Sequence, residues 1–331
     1  MKAITIPRFG GPDVLTAMQI ADPHPGPGEV AIDVAYAGAN YAEVLYRRGD
    51  VDVELPFVPG IEASGHVRAL GDGVTGLRVG QPVAALTIVD GGAYAEIAVT
   101  GAELVVPLAD DVDAEGLALA AGCPSNSTAA LLIFDQIARL RAGETVLVHA
   151  AAGGVGSQLG QAARLLGADA VVGTVGRPEK VAEANDLGYD EVILRDELAA
   201  RSEELTDGRG FDVIVDPVGG PTRRTSIDAL ALGGRLIAMG NASGADDVKV
   251  GANELWLSGK GMLGFNLAAI SAGDPGLVGQ ALRRALGLVL DGRLRVAISA
   301  RLPLDQAAEA HRRIESGATT GKLVLETRAN G

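Results

Sequence analysis

Residues 145–156 read Thr-Val-Leu-Val-His-Ala-Ala-Ala-Gly-Gly-Val-Gly, and this stretch decides the fold. Residues 145–148 form a short, β-branched, apolar run that predicts a buried strand. Tiny residues follow, and residues 158–166 then carry leucine and alanine at helical spacing. A strand, a tight turn and a helix in this order bring backbone N–H groups and the positive end of a helix to one spot, which suits a diphosphate.

The turn follows the pattern Ala151-x-Gly153-x-x-Gly156, a variant of the dinucleotide fingerprint with alanine at the first glycine position. Gly153 lets a phosphate approach the backbone, and Gly156 lets the helix, predicted to begin near Ser157, lie close to the sheet. An isolated match of this kind is often an ordinary turn, but the flanking strand and helix favour a nucleotide site. The predicted diphosphate contacts are Ala152, Gly153, Gly154, Val155 and Gly156.

The next predicted strand, Ala170–Val175, ends without a carboxylate. In this kind of fold an acidic side chain at that point accepts hydrogen bonds from the ribose 2′-hydroxyl of NAD. Cations stand there instead, and cations bind a 2′-phosphate through charge-assisted hydrogen bonds, so we predict NADP(H) as the cofactor. Alternatively, these cations are ordinary solvated surface residues. The contacts predicted at this edge are Thr174, Gly176, Arg177, Lys180 and Arg195.

Composition limits the class of protein. The 331 residues are 47% hydrophobic and 21% charged, which is enough for substantial cores in two domains. The formal net charge of −14 disfavours nucleic acid or an anionic membrane as a partner. The single cysteine, Cys123, excludes an intrachain disulfide. The N-terminus lacks the apolar core of a signal peptide and no apolar run is long enough to cross a bilayer, so we expect a cytoplasmic protein.

The secondary-structure pattern changes along the chain. Up to about residue 106, short β-rich pieces alternate with Gly and Pro turns, which predicts a small β barrel or sandwich. From about residue 110 helices and strands alternate, which predicts a parallel sheet covered by helices on both faces. The final segment ends in another predicted strand, Lys322–Glu326. The fold class is therefore α/β with an additional β-rich part.

Ordered motifs along the whole chain include Pro59-Gly60-x-Glu62-x-Ser64-Gly65, Gly92-Ala93-Tyr94-Ala95-Glu96 and Thr320-Gly321-Lys322-Leu323-Val324-Leu325. With the turn at 151–156, they resemble the zinc-independent quinone oxidoreductase branch of the medium-chain dehydrogenase/reductase superfamily. The resemblance implies a doubly wound Rossmann sheet inserted in a GroES-like β-rich catalytic domain, and a homodimer. The implied domains are residues 1–120 (N-terminal part of the catalytic domain), 121–265 (NADP(H)-binding domain) and 266–331 (segment returning to the catalytic domain).

The positions that correspond to zinc ligands are not ligands in this chain. Zinc-dependent relatives carry a cysteine where this chain has Asn40 and a histidine where it has Ile61. A catalytic zinc needs three nitrogen, sulfur or oxygen ligands, and a structural zinc lobe needs several cysteines. Cys123 alone supplies neither site, so we predict no metal.

Without zinc to polarise an alcohol, the favoured chemistry is hydride transfer from NADPH to an electron-poor small molecule such as a quinone or an enone. The resemblance implies that Asn40 and Tyr46 face this substrate and that Thr128 lies near the nicotinamide. Alternatively, Asn40 closes a turn, Tyr46 fills a domain contact and Thr128 caps a helix. Further cofactor contacts implied by the resemblance are Gly240, Asn241, Ser243, Phe265, Asn266 and Lys322.

Some residues depart from the family pattern or have simple structural interpretations. Arg195 stands where the family often has a tyrosine near the adenine, and Glu43 where an aspartate is usual. We interpret Cys123 as a small buried hydrophobe, His149 as loop support and His311 as a surface or capping residue.

Two other functions remain open at this point. The first is an enoyl-thioester or enone reductase of secondary metabolism. Several such enzymes carry Gly-x-Tyr where this chain has Gly49-Asp50-Val51, which modestly favours the quinone alternative. The second is a cofactor-binding protein with little turnover.

Overall fold

The structure is a computed structural model and describes residues 1–327. The chain divides into two compact units. Within the described residues, the first unit joins Met1–Thr128 to residues 267–327, and the second is Ala129–Asn266. The first observed boundary lies later than the predicted one at residue 120, because the backbone N–H of Ser125 donates to Glu62 of the first unit.

The strands, in chain order, are β1 (Lys2–Thr5), β2 (Thr16–Gln19), β3 (Glu29–Ala39), β4 (Glu62–Leu70), β5 (Pro82–Leu86), β6 (Ile97–Gly101), β7 (Val105–Pro107), β8 (Thr145–His149), β9 (Ala170–Val175), β10 (Glu191–Leu194), β11 (Phe211–Asp216), β12 (Leu230–Ala238), β13 (Gly261–Gly264), β14 (Ile298–Pro303) and β15 (Lys322–Glu326). The α-helices are α1 (Tyr41–Arg48), α2 (Ala114–Ala121), α3 (Pro124–Leu132), α4 (Gly154–Leu165), α5 (Glu179–Ala184), α6 (Leu198–Leu205), α7 (Pro221–Asp228), α8 (Ala252–Ser258), α9 (Leu267–Gly273), α10 (Pro275–Leu290) and α11 (Ala307–Glu315). A π-helical stretch, Ile133–Ala138, continues α3.

The second unit is built on a six-stranded sheet with the order β10-β9-β8-β11-β12-β13. All of its strand pairs are parallel. The chain builds outward on one side of β8 and then returns to build on the other side from β11, which is the doubly wound Rossmann order. The predicted fold class is therefore confirmed. In such sheets ligands bind at the carboxyl ends of the strands, where the order reverses.

The first unit contains a sheet with the path β14-β15-β3-β4-β5-β7, in which β6 also pairs with β3. Its pairs are antiparallel except β14 with β15. The long strand β3 is buried on most of its length, and Ile32 and Val67 lie in one of its apolar clusters. Because β15 pairs with β3, the closing segment of the chain belongs to the same sheet as the opening segment.

Several sequence-based expectations need correction. Helix α3 begins at Pro124, so Thr128 lies inside it and does not cap it. Helix α4 begins at Gly154, earlier than Ser157, because the first intrahelical bond runs from Ser157 to Gly153. His311 is buried, although a surface or capping place was expected, because it shares the inward face of α11 with Ala307 and Ala310.

A helix that spans a membrane needs both sufficient length and sufficient apolarity. Within residues 1–327 no single helix meets both conditions. The pair Ala114–Ala121 and Pro124–Ala138, bent by 46°, meets them together by length and composition.

Candidate cofactor site and active site

The turn between β8 and α4 presents backbone donors. Gly153 is the N-cap of α4 in an extended conformation, and its carbonyl accepts the N–H of Ser157 at 2.9 Å. The N–H groups of Gly154, Val155 and Gly156 precede this first helical bond, so they have no acceptor inside the helix. They lie at the positive end of a 12-residue helix, which is a favourable place for a phosphate.

Close packing holds this turn against the sheet. A Cβ on Gly156 would lie 2.2 Å from the carbonyl oxygen of Ala150, so no larger residue fits there without displacing backbone. Ala150 itself has a left-handed φ of 55°. The Tyr189 hydroxyl donates to the Gly156 carbonyl at 2.6 Å, and burial raises the pKa of Tyr189. The helix therefore starts at a fixed place at the carboxyl end of β8.

A cavity of about 520 Å³ lies beside the ends of β9 and β10. It is lined by Gly176, Pro178, Leu194, Arg195, Asp196, Leu198, Pro221, Thr222 and Thr225. A Cβ on Gly176 would lie 2.9 Å from Nη2 of Arg195, so the guanidinium occupies the space that glycine leaves. Arg195 is half-buried, and its Nε has no hydrogen-bond partner within residues 1–327. Burial lowers the pKa of Arg195, against the attraction of Asp216.

The other predicted cations differ in environment. Arg177 is exposed, and neither it nor Lys180 is among the residues that line this cavity. Burial lowers the pKa of Lys180, while Glu183 and Glu179 counteract that shift. The structure thus brings Gly176 and Arg195 together at the cavity and places Arg177 and Lys180 outside its lining.

His149 connects the ends of two strands with helix α7. Its Nδ1 lies 2.7 Å from the Thr174 hydroxyl and its Nε2 lies 2.7 Å from the Ser226 hydroxyl. Because the Ser226 hydroxyl donates to the Thr222 carbonyl at 2.8 Å, it accepts from His149, which leaves Nδ1 to accept from Thr174. Burial lowers the pKa of His149 to about 4. A neutral imidazole that is hydrogen-bonded at both ring nitrogens supports the predicted role of His149 in holding the loop.

Asp216 and Arg223 form a buried pair that the sequence analysis missed. The Asp216 carboxylate accepts the N–H groups of Val218 and Gly219 at 2.8 and 2.9 Å, and the Nε of Arg223 at 3.0 Å. Arg223 also donates to the Gly240 carbonyl at 2.7 Å. The pair therefore connects the loops that follow β11 and β12. The available signal was an aspartate at a strand end followed by Gly219 and Gly220.

The remaining predicted cofactor residues of the second unit lie at the carboxyl ends of β12 and β13. The Ser243 hydroxyl donates to Oδ1 of Asn241 at 3.0 Å, which stabilises the turn after Gly240. Phe265 is buried, its N–H donates to the Ala238 carbonyl at 2.9 Å, and Asn266 follows it. Since all strands of the sheet are parallel, these residues share an edge with the α4 turn.

In the first unit, four buried side chains form what we call the ion cluster: Asn40, Glu43, Glu62 and Lys322. The Lys322 ammonium contacts both Glu62 and the Asn40 amide oxygen. The Asn40 amide nitrogen donates to Glu62 at 2.8 Å and lies 3.4 Å from Glu43. Ser125 donates its backbone N–H to the other Glu62 oxygen at 2.7 Å. Both the nitrogen and the oxygen of the Asn40 amide therefore form hydrogen bonds within the cluster, and the oxygen accepts from Lys322.

Glu43 completes the cluster from helix α1. Its carboxylate accepts the N–H of Asn40 at 2.9 Å and the N–H of Ile61 at 3.1 Å. Burial raises the pKa of Glu43 to about 7, although the Lys322 charge opposes the shift. The carboxylates of Glu43 and Glu62 and the ammonium of Lys322 thus lie together, buried from bulk solvent.

Tyr46 and Thr128 are placed differently from Asn40. Tyr46 is partly buried, and its ring packs against that of Phe57 in a T-shaped arrangement, with the ring centroids 5.6 Å apart and an interplanar angle of 76°. Burial raises the pKa of Tyr46 to about 12, and Glu43 adds to the shift. Thr128 is fully buried, and its hydroxyl has no hydrogen-bond partner in the described part of the chain. Its position inside α3 and its unpartnered hydroxyl leave it a candidate ligand contact.

Residues 1–327 contain no group of three or more His, Cys, Asp or Glu side chains that could hold a metal ion. Asn40 and Ile61 stand at the two positions where zinc-dependent relatives carry ligands. Asn40 belongs to the ion cluster, and the backbone N–H of Ile61 donates to Glu43 of that cluster.

Comparison with known proteins agrees with this geometry. A family profile described as an alcohol dehydrogenase GroES-like domain matches residues 26–110, and one described as a zinc-binding dehydrogenase matches residues 187–325. A quinone oxidoreductase of Pseudomonas aeruginosa is 37% identical over 331 residues, covering 98% of this chain and 99% of the relative. A 2-haloacrylate reductase of a Burkholderia species is 32% identical, with 98% of each chain covered.

A solved structure has a similar fold. The Escherichia coli quinone oxidoreductase, crystallised with NADPH, superposes with a TM-score of 0.91 at 28% identity, covering 99% of this chain and 100% of that one. The Rossmann order, the α4 turn and the GroES-like match define a medium-chain dehydrogenase/reductase. Within that superfamily the chain belongs to the quinone oxidoreductase branch, as its motifs predict.

Proposed function

We propose that this protein is an NADPH-dependent reductase that transfers hydride to quinones or similar conjugated carbonyl compounds without zinc. The observation that carries the cofactor choice is the Arg195 guanidinium, which is half-buried, has an unpartnered Nε and lies beside Gly176, at the end of the strand where an NAD-dependent enzyme would carry an acid. The NADPH complex of the E. coli relative supports the same choice.

The residues of the second unit fit a dinucleotide. The N–H groups of Gly154 to Gly156 would hold the diphosphate, and the cavity beside Gly176 would take the adenosine end. The loop from Gly240 to Ser243, together with Phe265 and Asn266, would lie at the nicotinamide end. When bound, NADPH supplies the hydride. We leave Lys322 out of the cofactor contacts because its ammonium is buried in the ion cluster.

On the substrate side we propose Thr128 and Tyr46 as the polar contacts. Thr128 has a buried hydroxyl without a partner, and a tyrosine whose pKa is raised to about 12 stays protonated and can donate a hydrogen bond. Asn40 is proposed as a positioning residue, since its amide is already engaged with Glu62 and Lys322. Zinc has no place in this proposal because Asn40 and Ile61 replace the expected ligands.

A second candidate is the reduction of a carbon–carbon double bond conjugated to a carbonyl or carboxylate. It is favoured by the 32% identity to the 2-haloacrylate reductase, whose named substrate contains such a bond. The same hydride donor and the same proposed polar contacts, Thr128 and Tyr46, would serve either acceptor.

The direct test follows NADPH and NADH oxidation with 1,4-naphthoquinone, a cyclic enone, an enoyl thioester and 2-chloroacrylate, with and without a chelator. We expect faster NADPH oxidation, with the quinone as the best acceptor and no effect of the chelator. Preference for NADH, or loss of activity on chelation, would contradict the proposal. A best rate with an enoyl thioester or 2-chloroacrylate would select the second candidate. Tight NADPH binding with no turnover would indicate a cofactor-binding protein instead.

We also propose that the protein is a homodimer formed at the β13 edge of the Rossmann sheet. Within the described residues β13 pairs only with β12, so its other side is open. Large apolar side chains near this edge are exposed, namely Leu232 at 86%, Trp256 at 76% and Leu257 at 77%. Isolated edges with such side chains favour pairing with another chain. Analytical ultracentrifugation should show a dimer that Trp256→Glu disrupts and Val79→Glu does not; a monomeric wild type would exclude it.

A further inference from the structure

Arg195 lines the cavity of the second unit and has a buried donor, Nε, without a hydrogen-bond partner within residues 1–327. The lining of the cavity includes apolar surfaces from Pro178, Pro221 and Leu198, which suit a flat base, and the guanidinium lies among them. Burial lowers the pKa of Arg195, and its Nε has no hydrogen-bond partner within residues 1–327. An arginine kept in this state has lost part of its hydration without gaining a full replacement.

The nearby carboxylates do not supply that replacement. Asp216 attracts Arg195 electrostatically, but its oxygens already accept from Val218, Gly219 and Arg223. Asp196 lines the cavity but is exposed to solvent, where its charge is screened. The guanidinium therefore retains donors for an anionic ligand.

The other two cations of this edge are poorer candidates. Arg177 is exposed and outside the cavity lining, so water competes for any contact that it makes. Lys180 also lies outside the lining. A rigid guanidinium can also donate two parallel hydrogen bonds to a phosphate, which an ammonium does not match.

We propose that Arg195 is the specificity-determining residue of the cofactor site and that its guanidinium, rather than Arg177 or Lys180, binds the 2′-phosphate. Gly176 is part of the same arrangement, because a Cβ there would lie 2.9 Å from Nη2 of Arg195. This inference rests on the proposed NADPH dependence and adds which cation provides it. The contrasting possibility is that Arg195 stacks on the adenine, which NADPH and NADH share.

Calorimetry with two fragments separates these possibilities. Adenosine 2′,5′-bisphosphate and adenosine 5′-monophosphate differ only in the 2′-phosphate, and neither undergoes reduction. Arg195→Gln should raise the Kd of the bisphosphate by about 10- to 100-fold and change that of the monophosphate by less than about 3-fold, as expected for loss of charge-assisted hydrogen bonds. Arg209→Gln is the matched control, because it removes the same charge at an exposed site on the loop before β11; it should change neither Kd by more than about 2-fold.

A second variant, at Gly176, tests whether the position beside Arg195 sets the choice between NADPH and NADH. Gly176→Asp places a carboxylate beside Nη2 of Arg195, and it should shift the kcat/KM preference from NADPH towards NADH. Equal losses of both fragments in Arg195→Gln would indicate adenine stacking and overturn the assignment, as would an unchanged Kd for the bisphosphate. Either outcome leaves the proposed function intact if the wild type still oxidises NADPH with a quinone, so the two proposals fail separately.

Discussion

Lys322 in the first unit and Arg195 in the second are both cations taken at least partly out of water, but their surroundings differ. Lys322 is 2% exposed and contacts Glu62 and Asn40, whereas the Nε of Arg195 has no partner within residues 1–327. In the ion cluster, ionic contacts connect segments that are far apart in sequence, so these charges stabilise the fold. At the cavity a cation is left with unused donors, which is the expected condition of a ligand site.

The largest expected effect comes from opening the ion cluster. Lys322→Met would leave two buried carboxylates without their cation, and we expect the free energy of unfolding to fall by about 3 to 5 kcal/mol. Denaturant unfolding would measure this change. The double variant Lys322→Met with Glu62→Gln should recover part of the loss. A single-variant loss below about 1 kcal/mol would show that the cluster does not hold this unit together.

The next effect concerns the α4 turn, where packing rather than charge sets the site. Gly156→Ala would place a Cβ 2.2 Å from the Ala150 carbonyl oxygen, so the helix must shift. We expect a loss of about 1 to 3 kcal/mol in stability together with weaker NADPH binding, measured by thermal unfolding and calorimetry. Gly251→Ala is the control, since no atom lies within 4 Å of its Cβ position. Unchanged NADPH affinity in Gly156→Ala would argue against this turn as the diphosphate site.

A pH-dependent effect should come from His311 in the first unit. Its pKa is lowered from an ordinary 6.5 to about 3, mainly by burial and also by the Arg47 charge. The unfolded chain therefore binds the proton first, and the stability that neutral His311 contributes is lost as pH falls from about 6.5 towards 3. At pH 5 the loss is about 2 kcal/mol.

The comparison of His311→Gln with the wild type isolates this contribution. The difference in unfolding free energy between the two proteins should shrink by about 2 kcal/mol between pH 7.5 and pH 5. Subtraction is needed because His149, with a pKa of about 4, has the same sign and Glu43, with a pKa of about 7, has the opposite sign between about pH 4.5 and 7. A difference that stays constant with pH would exclude His311 as the titrating group.

The smallest effect is expected at the surface of the first unit. Arg78 and Asp110 form an ion pair in which both side chains are exposed. Arg78→Ala should cost less than about 1 kcal/mol, because water screens and competes for such pairs. A larger loss in denaturant unfolding would mean that burial does not explain the contrast between the ion cluster and surface charge.

Local patterns predicted much of the second unit. Strand β9 has the predicted bounds, and the fingerprint at Gly153 and Gly156 lies between β8 and α4 as expected. These features depend on residues close in sequence, so periodicity and turn chemistry reveal them. The alternation of strand and helix predicted a parallel sheet, whereas its doubly wound strand order was implied by the family resemblance.

The ion cluster was not predictable in the same way. Asn40, Glu62 and Lys322 are separated by long stretches of chain, and the pairing of β15 with β3 brings the last of them to the others. The family resemblance implied a substrate contact for Asn40 and a cofactor contact for Lys322, and it gave no sign of the contacts between them. The burial of His311 did have a local signal, because it continues the inward face formed by Ala307 and Ala310.

The sequence by itself determined the Rossmann strand–turn–helix unit, the family and the absence of zinc ligands at positions 40 and 61, because each depends on residue type and short spacing. Only the tertiary structure decided which charges neutralise one another and which keep donors for a ligand. That distinction depends on burial and on partners distant in the chain, which is why Lys322 joins the core of the first unit while Arg195 lines a cavity in the second.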